Sequence, residues 1–179
     1  MQDTYTLHVA GLTRELPICK VNDHMDIAAF IMFSDVELTV ACARELLKKC
    51  PEFDVILTAE AKGIPLAYEM ARQSGKQWIP ARKGAKLYMR DPVIIEDESI
   101  TTAGKQTLVI DRKDIECMNG KRILIVDDVI STGGSLHALE TLAARSTGTV
   151  VGCCAALAEG DAAKRTDIFF LEPLPLFFH

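Results

Sequence analysis

The sequence lacks the features by which a chain enters or crosses a membrane. No apolar run approaches the roughly 18 to 20 residues that span a bilayer, and the polar segment Met1–Thr6 lacks the pattern of a secretory signal. The formal net charge is −5 and the isoelectric point is near 5.4. A nucleic acid or an anionic membrane is therefore not expected as the main partner.

Cysteines at the spacing of zinc ligands are absent as well. The six cysteines show no C-x-x-C spacing, and the four histidines are scattered without metal-ligand spacing. This pattern favours reduced thiols in the core of a cytoplasmic protein over disulfide bonds or a zinc site. The cysteines are Cys19, Cys42, Cys50, Cys117, Cys153 and Cys154.

Two widespread phosphate-binding patterns are also missing, but another candidate is present. No G-x-x-x-x-G-K-[ST] occurs, and no G-x-G-x-x-G opens a helix after a strand. Residues 122–135 instead read RILIVDDVISTGGS, in which the apolar run Ile123–Val126 predicts a central parallel strand. Asp127 and Asp128 follow this run, and a helix with apolar periodicity is expected from about Leu136 to Ala144.

The residues around the two acids are suited to a phosphorylated sugar. In open α/β sheets, ligands bind beyond the carboxyl ends of the strands. A glycine-rich turn that enters a helix presents free N–H groups and the positive end of a dipole to a phosphate. Paired carboxylates such as Asp127 and Asp128 suit the hydroxyls of a ribose diol or a Mg²⁺ ion.

This stretch closely resembles the 5-phosphoribosyl-1-pyrophosphate (PRPP) loop of the type I phosphoribosyltransferases. The resemblance implies that Asp127 and Asp128 are the catalytic residues, which hold the ribose hydroxyls near the developing positive charge. It implies that Mg²⁺ is held mainly by PRPP, with Asp127 or Asp128 as the candidate protein ligand. It also implies that Val129 and Ile130 form one apolar wall of the base pocket. The implied PRPP-binding residues are Asp127, Asp128, Val129, Ser131, Thr132, Gly133, Gly134 and Ser135.

Two further stretches resemble the pyrophosphate-binding segments of the same family. Residues 60–63 (EAKG) match its E-A-[RK]-G loop, where an unusual cis peptide is often found, and residues 82–87 (RKGAKL) match the R-K-x-x-K-L opening of the mobile loop in adenine members. A mobile basic loop can neutralise the charges of pyrophosphate and exclude water. The implied pyrophosphate-binding residues are Glu60, Ala61, Lys62, Gly63, Arg82, Lys83 and Lys86.

The acceptor base is indicated by the same motifs. Hypoxanthine–guanine members carry an Asp at the position of Ser131, whereas adenine and xanthine members do not, and the R-K-x-x-K-L match favours adenine. The loop Glu of adenine members is missing where residues 99–104 read SITTAG, so Glu96 or Glu98 would have to replace it. This SIT stretch also resembles xanthine enzymes and purine-responsive repressors.

Alternating strands and helices predict an α/β fold with a mostly parallel, twisted sheet flanked by helices on both faces. We expect a single domain over residues 1–179, with a small hood over the base from about residues 1–33 and a core from 34–179. A capping-box pattern at Ser34 and Glu37 predicts the first helix. Strands are predicted at Thr4–Ala10, within Gly11–Pro17, and at Asp54–Ala59, Gln77–Ala81, Val93–Ile95, Thr107–Ile110, Thr149–Ala158 and Ile168–Leu171.

The predicted function is Mg²⁺-dependent transfer of the phosphoribosyl group from PRPP to a purine base, with adenine favoured. The alternatives are a xanthine or hypoxanthine transferase, or a PRPP-sensing regulator with the same fold and no turnover. Phe30 and Phe33 could stack on a purine in the hood, although core packing is the favoured interpretation. Family members are commonly homodimers, and the apolar C-terminal tail could dock on the core or on a second subunit.

Overall fold

The computed structural model describes residues 3–97 and 106–179. The strands, in chain order, are β1 Thr4–Val9, β2 Leu12–Asn22, β3 Met25–Ala28, β4 Val55–Ala59, β5 Gln77–Ala81, β6 Val93–Asp97, β7 Gln106–Ile110, β8 Arg122–Ile130, β9 Thr149–Glu159, β10 Phe169–Leu174 and β11 Leu176–Phe178. The helices are α1 Val36–Leu47, α2 Ile64–Ser74, α3 Arg112–Met118 and α4 Gly134–Ala143, and a short 3₁₀ helix spans Gly160–Lys164.

A five-stranded sheet in the order β10-β9-β8-β4-β5 forms the centre of the fold, and each neighbouring pair is parallel. The side chains of β4 and β8 that lie in its middle are fully buried, as in a parallel sheet covered on both faces. The predicted α/β fold with a mostly parallel sheet is confirmed.

Helices cover both faces of this sheet and divide the core into two layers. On one face, α1 and α2 pack against each other and against the sheet, with Leu46 and Leu66 fully buried. On the other face, α3 and α4 contribute Met118, Leu139 and Leu142 to a second cluster that includes the ribbon of β6 and β7. α3 was not predicted, because its seven residues are too few to show a clear helical period.

The N-terminal segment, for which a hood over the base was predicted and which we call the hood, builds a second sheet. It is antiparallel, in the order β1-β2-β3-β11, so the last strand of the chain joins the first three. β2 is longer than predicted, and neither β3 nor β11 was predicted. The tail therefore docks on the hood of its own chain, through pairing of Leu176 with Ile27.

The first helix is capped by Asp35, so the predicted capping box at Ser34 is wrong. Ser34 has a φ of 67° and lies outside the helix. Asp35 Oδ1 accepts a hydrogen bond from the backbone N–H of Leu38 at 3.0 Å. Arg14 on β2 donates to both oxygens of the same carboxylate, which joins the hood to α1.

The six cysteines are free thiols, and only part of the expectation about their burial is met. Cys42, Cys153 and Cys154 are buried, whereas Cys50 and Cys117 are half-buried. Cys19 is exposed, because it lies on the outer side of the hood sheet.

No helix in the described part of the chain is long and apolar enough to cross a membrane.

The segment between β5 and α3 contains an antiparallel ribbon of β6 and β7 instead of further parallel strands. Arg82 joins its base to β5, because its backbone pairs with that of Val109. Glu96 is exposed on β6. Glu98 and residues 99–104, on which the identity of the loop acid depends, lie outside the described residues.

Candidate active site

The carboxyl edge of the sheet opens between β4 and β8. β8 pairs with β4 as far as Ile125 but with β9 as far as Ile130. The connection after β4 leads to β5 on one side, and the connection after β8 leads to β9 on the other. This is a topological switch point, where open α/β sheets bind ligands.

The two acids lie at this opening. β8 continues through Asp127 and Asp128, so the expectation that the strand ends at Val126 is wrong. The strand continues because β9 still pairs with it after β4 has diverged. Beyond Ile125, β8 no longer pairs with β4, and Asp127 and Asp128 border the resulting cavity.

The cavity has a volume of about 790 Å³ and draws its walls from the hood, the sheet edge and the ribbon. Its size falls within the range of small-molecule sites. Its lining residues are Ile27, Ala28, Ala29, Phe30, Ile31, Ala59, Glu60, Ala61, Lys62, Lys83, Thr107, Leu108, Asp127, Asp128, Val129, Ser131, Ser135, Glu159 and Leu174.

Asp127 and Asp128 are close to each other and only partly compensated. Asp127 Oδ1 accepts a hydrogen bond from the backbone N–H of Asp128 at 2.9 Å. The buried Asp128 Oδ2 has no hydrogen-bond partner in the described structure, and the Lys62 Nζ lies 3.9 Å away. Burial and then repulsion from Asp128 raise the pKa of Asp127 above its usual range. Such a pair favours a ligand that supplies hydroxyl donors or positive charge.

Gly63 lets the loop after β4 approach these acids. A Cβ at Gly63 would lie 2.5 Å from Thr58 Oγ1 and 3.0 Å from Asp127 Oδ1. Pro65 follows in the first turn of α2, where its missing N–H costs no helical hydrogen bond. The side chain of Lys62 therefore stands beside Asp128 at the mouth of the cavity.

The peptide bond between Glu60 and Ala61 is cis, as the resemblance implies. The Glu60 carboxylate turns toward the segment after β5: Oε2 accepts from the backbone N–H of Lys83 at 2.9 Å, and Oε1 pairs with Arg82 Nη2 at 3.1 Å. The Lys83 N–H first, and the Arg82 guanidinium second, lower the pKa of Glu60. Glu60 thus connects the two predicted pyrophosphate segments.

The predicted basic residues are only partly brought together. Lys62 and Lys83 line the cavity. Arg82 is turned toward Glu60 and donates to the Tyr88 hydroxyl at 2.9 Å. Lys86 is half-exposed on the segment that follows, where its backbone N–H contacts the Met89 sulfur.

Residues 131–135 form the turn that enters α4. Gly133 has a φ of 87° and is the N-cap of this helix, a backbone conformation that favours glycine. Ser131 and Ser135 line the cavity, and the exposed Thr132 lies between them in sequence. The first N–H groups of α4 have no side-chain cap, so they remain available to an anion.

An arginine that the sequence did not single out lies against this turn. A Cβ at Gly133 would be 3.1 Å from the Arg165 Nη1, so the guanidinium is packed onto the glycine backbone. Arg165 also forms a bidentate ion pair with Asp167, with distances of 2.8 and 2.7 Å.

The apolar part of the cavity comes mainly from the hood. Of the two residues expected in the base pocket, Val129 lines the cavity, whereas Ile130 is buried in the core beneath α4. Phe30 is 4% exposed and belongs to the core, yet it also contributes to the lining. Phe33 is 47% exposed, so the core position expected for it is wrong.

Sequence reasoning named Phe30 but missed its neighbours Ile27, Ala28, Ala29 and Ile31, together with Leu174 and Glu159, which come from distant parts of the chain. Glu159 did carry a signal. It comes directly after the apolar part of β9, just as Asp127 comes directly after the apolar part of β8.

A family model described as the phosphoribosyl transferase domain matches residues 37–172. The chain belongs to this family. The match extends from α1 into β10 and so includes the four strands β4, β5, β8 and β9 of the parallel sheet, the two acids and both predicted pyrophosphate segments.

Named relatives of this phosphoribosyl transferase domain are adenine phosphoribosyltransferases. One from a Thermotoga species is 38% identical over 122 residues, which cover 68% of this chain and 64% of the relative. One from Rhodococcus jostii is 32% identical over 126 residues, covering 70% and 69%. The chain thus spans less than two thirds of the length of the Thermotoga relative.

A solved structure of similar fold is that of adenine phosphoribosyltransferase from Thermoanaerobacter pseudethanolicus. It is 25% identical and has a TM-score of 0.67, over 79% of this chain and 84% of that one. The parallel sheet with helices on both faces is therefore the fold of a known phosphoribosyltransferase.

Proposed function

We propose that the protein transfers the phosphoribosyl group of PRPP to a purine base, with adenine the favoured acceptor and AMP and pyrophosphate the products. The observation that carries this proposal is the convergence on one cavity of the acid pair at Asp127 and Asp128, the Lys62 loop and the turn at residues 131–135. A diol, a pyrophosphate and a 5-phosphate would each meet suitable groups there.

In the proposed reaction, a ring nitrogen of the base attacks C1 of the ribose and displaces pyrophosphate. The transition state has oxocarbenium character, as in glycoside hydrolysis. Asp127 and Asp128 would hold the ribose hydroxyls near the developing positive charge, while Lys62 and Lys83 would offset charge on the leaving group. The hood would exclude water from the reacting centre.

The residues present fit a Mg²⁺ ion held mainly by the substrate. No cluster of three or more His, Cys, Asp or Glu side chains that could hold a metal occurs among residues 3–97 and 106–179. The buried Asp128 Oδ2 without a hydrogen-bond partner is a suitable oxygen ligand, and Asp127 offers another. Mg²⁺ commonly combines one or two carboxylates with phosphate oxygens and, when bound, would neutralise part of the pyrophosphate charge.

Adenine is favoured by two observations. Ser131 borders the cavity where hypoxanthine–guanine members have an acid, so no carboxylate stands at that position. The relatives named above are adenine phosphoribosyltransferases. That the chain acts as a single domain and as a cytoplasmic homodimer stays a prediction.

The test is a panel assay with PRPP, Mg²⁺ and adenine, hypoxanthine, xanthine or guanine in turn, with pyrophosphate release as the readout. Turnover with adenine at least about tenfold above the other bases would support the proposal. PRPP binding by calorimetry without turnover of any base would contradict it and favour the sensing alternative. The same panel with the Asp128→Asn variant controls for contaminating activity.

A further inference from the structure

Glu159 is an acidic residue of the cavity to which no role has been assigned. It is the last residue of β9, and its backbone pairs with that of Leu174 on β10. Both residues line the cavity, together with hood residues 27–31. Glu159 therefore stands at the junction of the sheet edge and the apolar wall that would hold a base.

The other carboxylates that line this cavity, within the described ranges, already have partners or roles. Glu60 is bonded to Lys83 and Arg82. Asp127 accepts the N–H of Asp128, and Asp128 faces the Lys62 ammonium. Glu159 accepts no hydrogen bond from any described residue, so it is the carboxylate available to a ligand.

The environment of the Glu159 carboxylate favours binding of a hydrogen-bond donor. Burial raises its pKa, and the opposing, smaller influence is the charge of Lys62. Glu159 and Lys62 both line the cavity, so the carboxylate and the ammonium belong to the same site. A partly buried carboxylate without hydrogen bonds gains more from a new N–H donor than an exposed one would.

We propose that Glu159 is a specificity-determining residue that accepts a hydrogen bond from the exocyclic amino group of a 6-aminopurine. This inference rests on the proposed function, since it takes the base to lie in this cavity. A carboxylate only accepts hydrogen bonds. The amino group of adenine donates one, whereas the 6-oxo group of hypoxanthine is an acceptor and would face Glu159 without a proton between them.

Glu159 would thus favour adenine over hypoxanthine, because adenine donates a charge-assisted hydrogen bond to the carboxylate and hypoxanthine places an acceptor against it. Loss of a hydrogen bond to a charged group changes affinity by about tenfold or more. Replacement of Glu159 by Gln supplies both a donor and an acceptor in nearly the same shape. The variant should therefore accept a 6-oxopurine as readily as a 6-aminopurine.

The test is calorimetric binding of AMP and of IMP, at about pH 8 so that the carboxyl is ionised. It uses the full-length protein, the Glu159→Gln variant and the Glu172→Gln control. Glu172 is exposed on the neighbouring strand β10, outside the cavity lining. We expect the ratio of AMP to IMP affinity to fall at least about tenfold in Glu159→Gln and to stay unchanged in the control.

An unchanged ratio in Glu159→Gln, with PRPP binding and thermal midpoint retained, would overturn the inference. Binding of neither nucleotide by the unmodified protein would overturn it too. A failure of the proposed function is distinguished by turnover. If AMP binds and the ratio of AMP to IMP affinity changes but no base is converted, Glu159 recognises the base in a protein that is not a transferase.

Discussion

Glu60 and Arg82 form an ion pair, with Oε1 and Nη2 3.1 Å apart, that joins the loop after β4 to the segment after β5. Both side chains are about three quarters buried, at 23% and 27% exposed. Oε2 of the same carboxylate holds the backbone N–H of Lys83. Two predicted pyrophosphate segments that are separate in sequence are thereby fixed relative to each other.

Glu60→Gln should weaken the binding of pyrophosphate more than the binding of adenine. The amide keeps an acceptor for the Lys83 N–H but removes the charge that holds Arg82, so the basic segment loses its fixed position. We expect KM for pyrophosphate in the reverse reaction to rise by about three- to tenfold. The control is Glu45→Gln, which breaks a surface pair with Lys48 on α1. Equal KM values for pyrophosphate in both variants would contradict this role.

Asp128→Asn should lower phosphoribosyl transfer by at least about a hundredfold, which is typical for the loss of one charge-stabilising group. Asn has nearly the same shape, but its amide replaces one carboxylate oxygen in a buried position that faces Lys62. Steady-state rates and PRPP calorimetry measure the effect, with Asp161→Asn on the exposed 3₁₀ helix as control. Near-normal turnover by Asp128→Asn and by Asp127→Asn would remove both acids from the mechanism.

Lys62→Ala should slow pyrophosphate formation and its reverse by about tenfold, with little change in protein stability. Its side chain is 60% exposed, so its removal leaves no buried cavity, yet its ammonium stands 3.9 Å from Asp128, where the leaving group would depart. Forward and reverse rates are compared with those of Lys164→Ala, an exposed lysine that pairs with Asp161. If both variants keep the unmodified rates, Lys62 does not contact the pyrophosphate.

The parts of the site that could be predicted from sequence are those whose residues are contiguous. The acid pair and the turn at residues 131–135 form one uninterrupted stretch of sequence, because the proposed phosphate and diol recognition would use successive backbone and side-chain groups of a strand–turn–helix unit. The loop at Lys62 was found in the same way. In each case the candidate binding groups are neighbours in the sequence, so a short motif is enough to identify them.

The parts that could not be predicted depend on distant pairing. β11 pairs with β3 near the opposite end of the chain, and this brings the tail and the hood together above the sheet edge. Glu159 becomes a cavity residue only because β9 runs beside β8 and ends at the same edge. The basic residues next to Arg82 were expected, but the orientation of its side chain is set by the ion pair with Glu60. The spacing of residues in the sequence does not reveal that pair.

The contact between Arg14 and Asp35 should make stability depend on pH at the acidic end. The Arg14 guanidinium, through its hydrogen bonds, lowers the pKa of Asp35 below its usual range. The pKa of Asp35 is therefore lower in the folded than in the unfolded protein. The contribution of the contact to the free energy of unfolding is fully present above the unfolded pKa, about 3.9, and is lost as the pH falls through the folded pKa.

The measurement is the thermal midpoint as a function of pH, for the unmodified protein and for Arg14→Met. The variant should lose stability near neutral pH and show a shallower decline below about pH 4, because the pKa of its Asp35 is less depressed. Parallel curves for the two proteins would show that this contact carries no pH-dependent stability. Arg44→Met is the control, since Arg44 pairs with Glu45 on the exposed face of α1.

Gly63→Ala should disrupt the approach of α2 to the acid pair. The new Cβ would lie 2.5 Å from Thr58 Oγ1, a contact that requires backbone or strand movement, and 3.0 Å from Asp127 Oδ1. Overpacking of this kind typically costs about 1–3 kcal/mol of unfolding free energy. PRPP affinity should fall as well, because Asp127 must move.

Denaturant unfolding and PRPP calorimetry measure both effects. The matched control is Gly84→Ala, where the added Cβ would have no atom within 4 Å and the backbone is not in the left-handed region. The double variant Thr58→Ala with Gly63→Ala removes the closest contact while keeping the contact with Asp127. It should recover most of the stability but only part of the PRPP affinity. Equal recovery of both would mean that Gly63 serves packing against Thr58 alone, and no recovery would place the strain elsewhere in the loop.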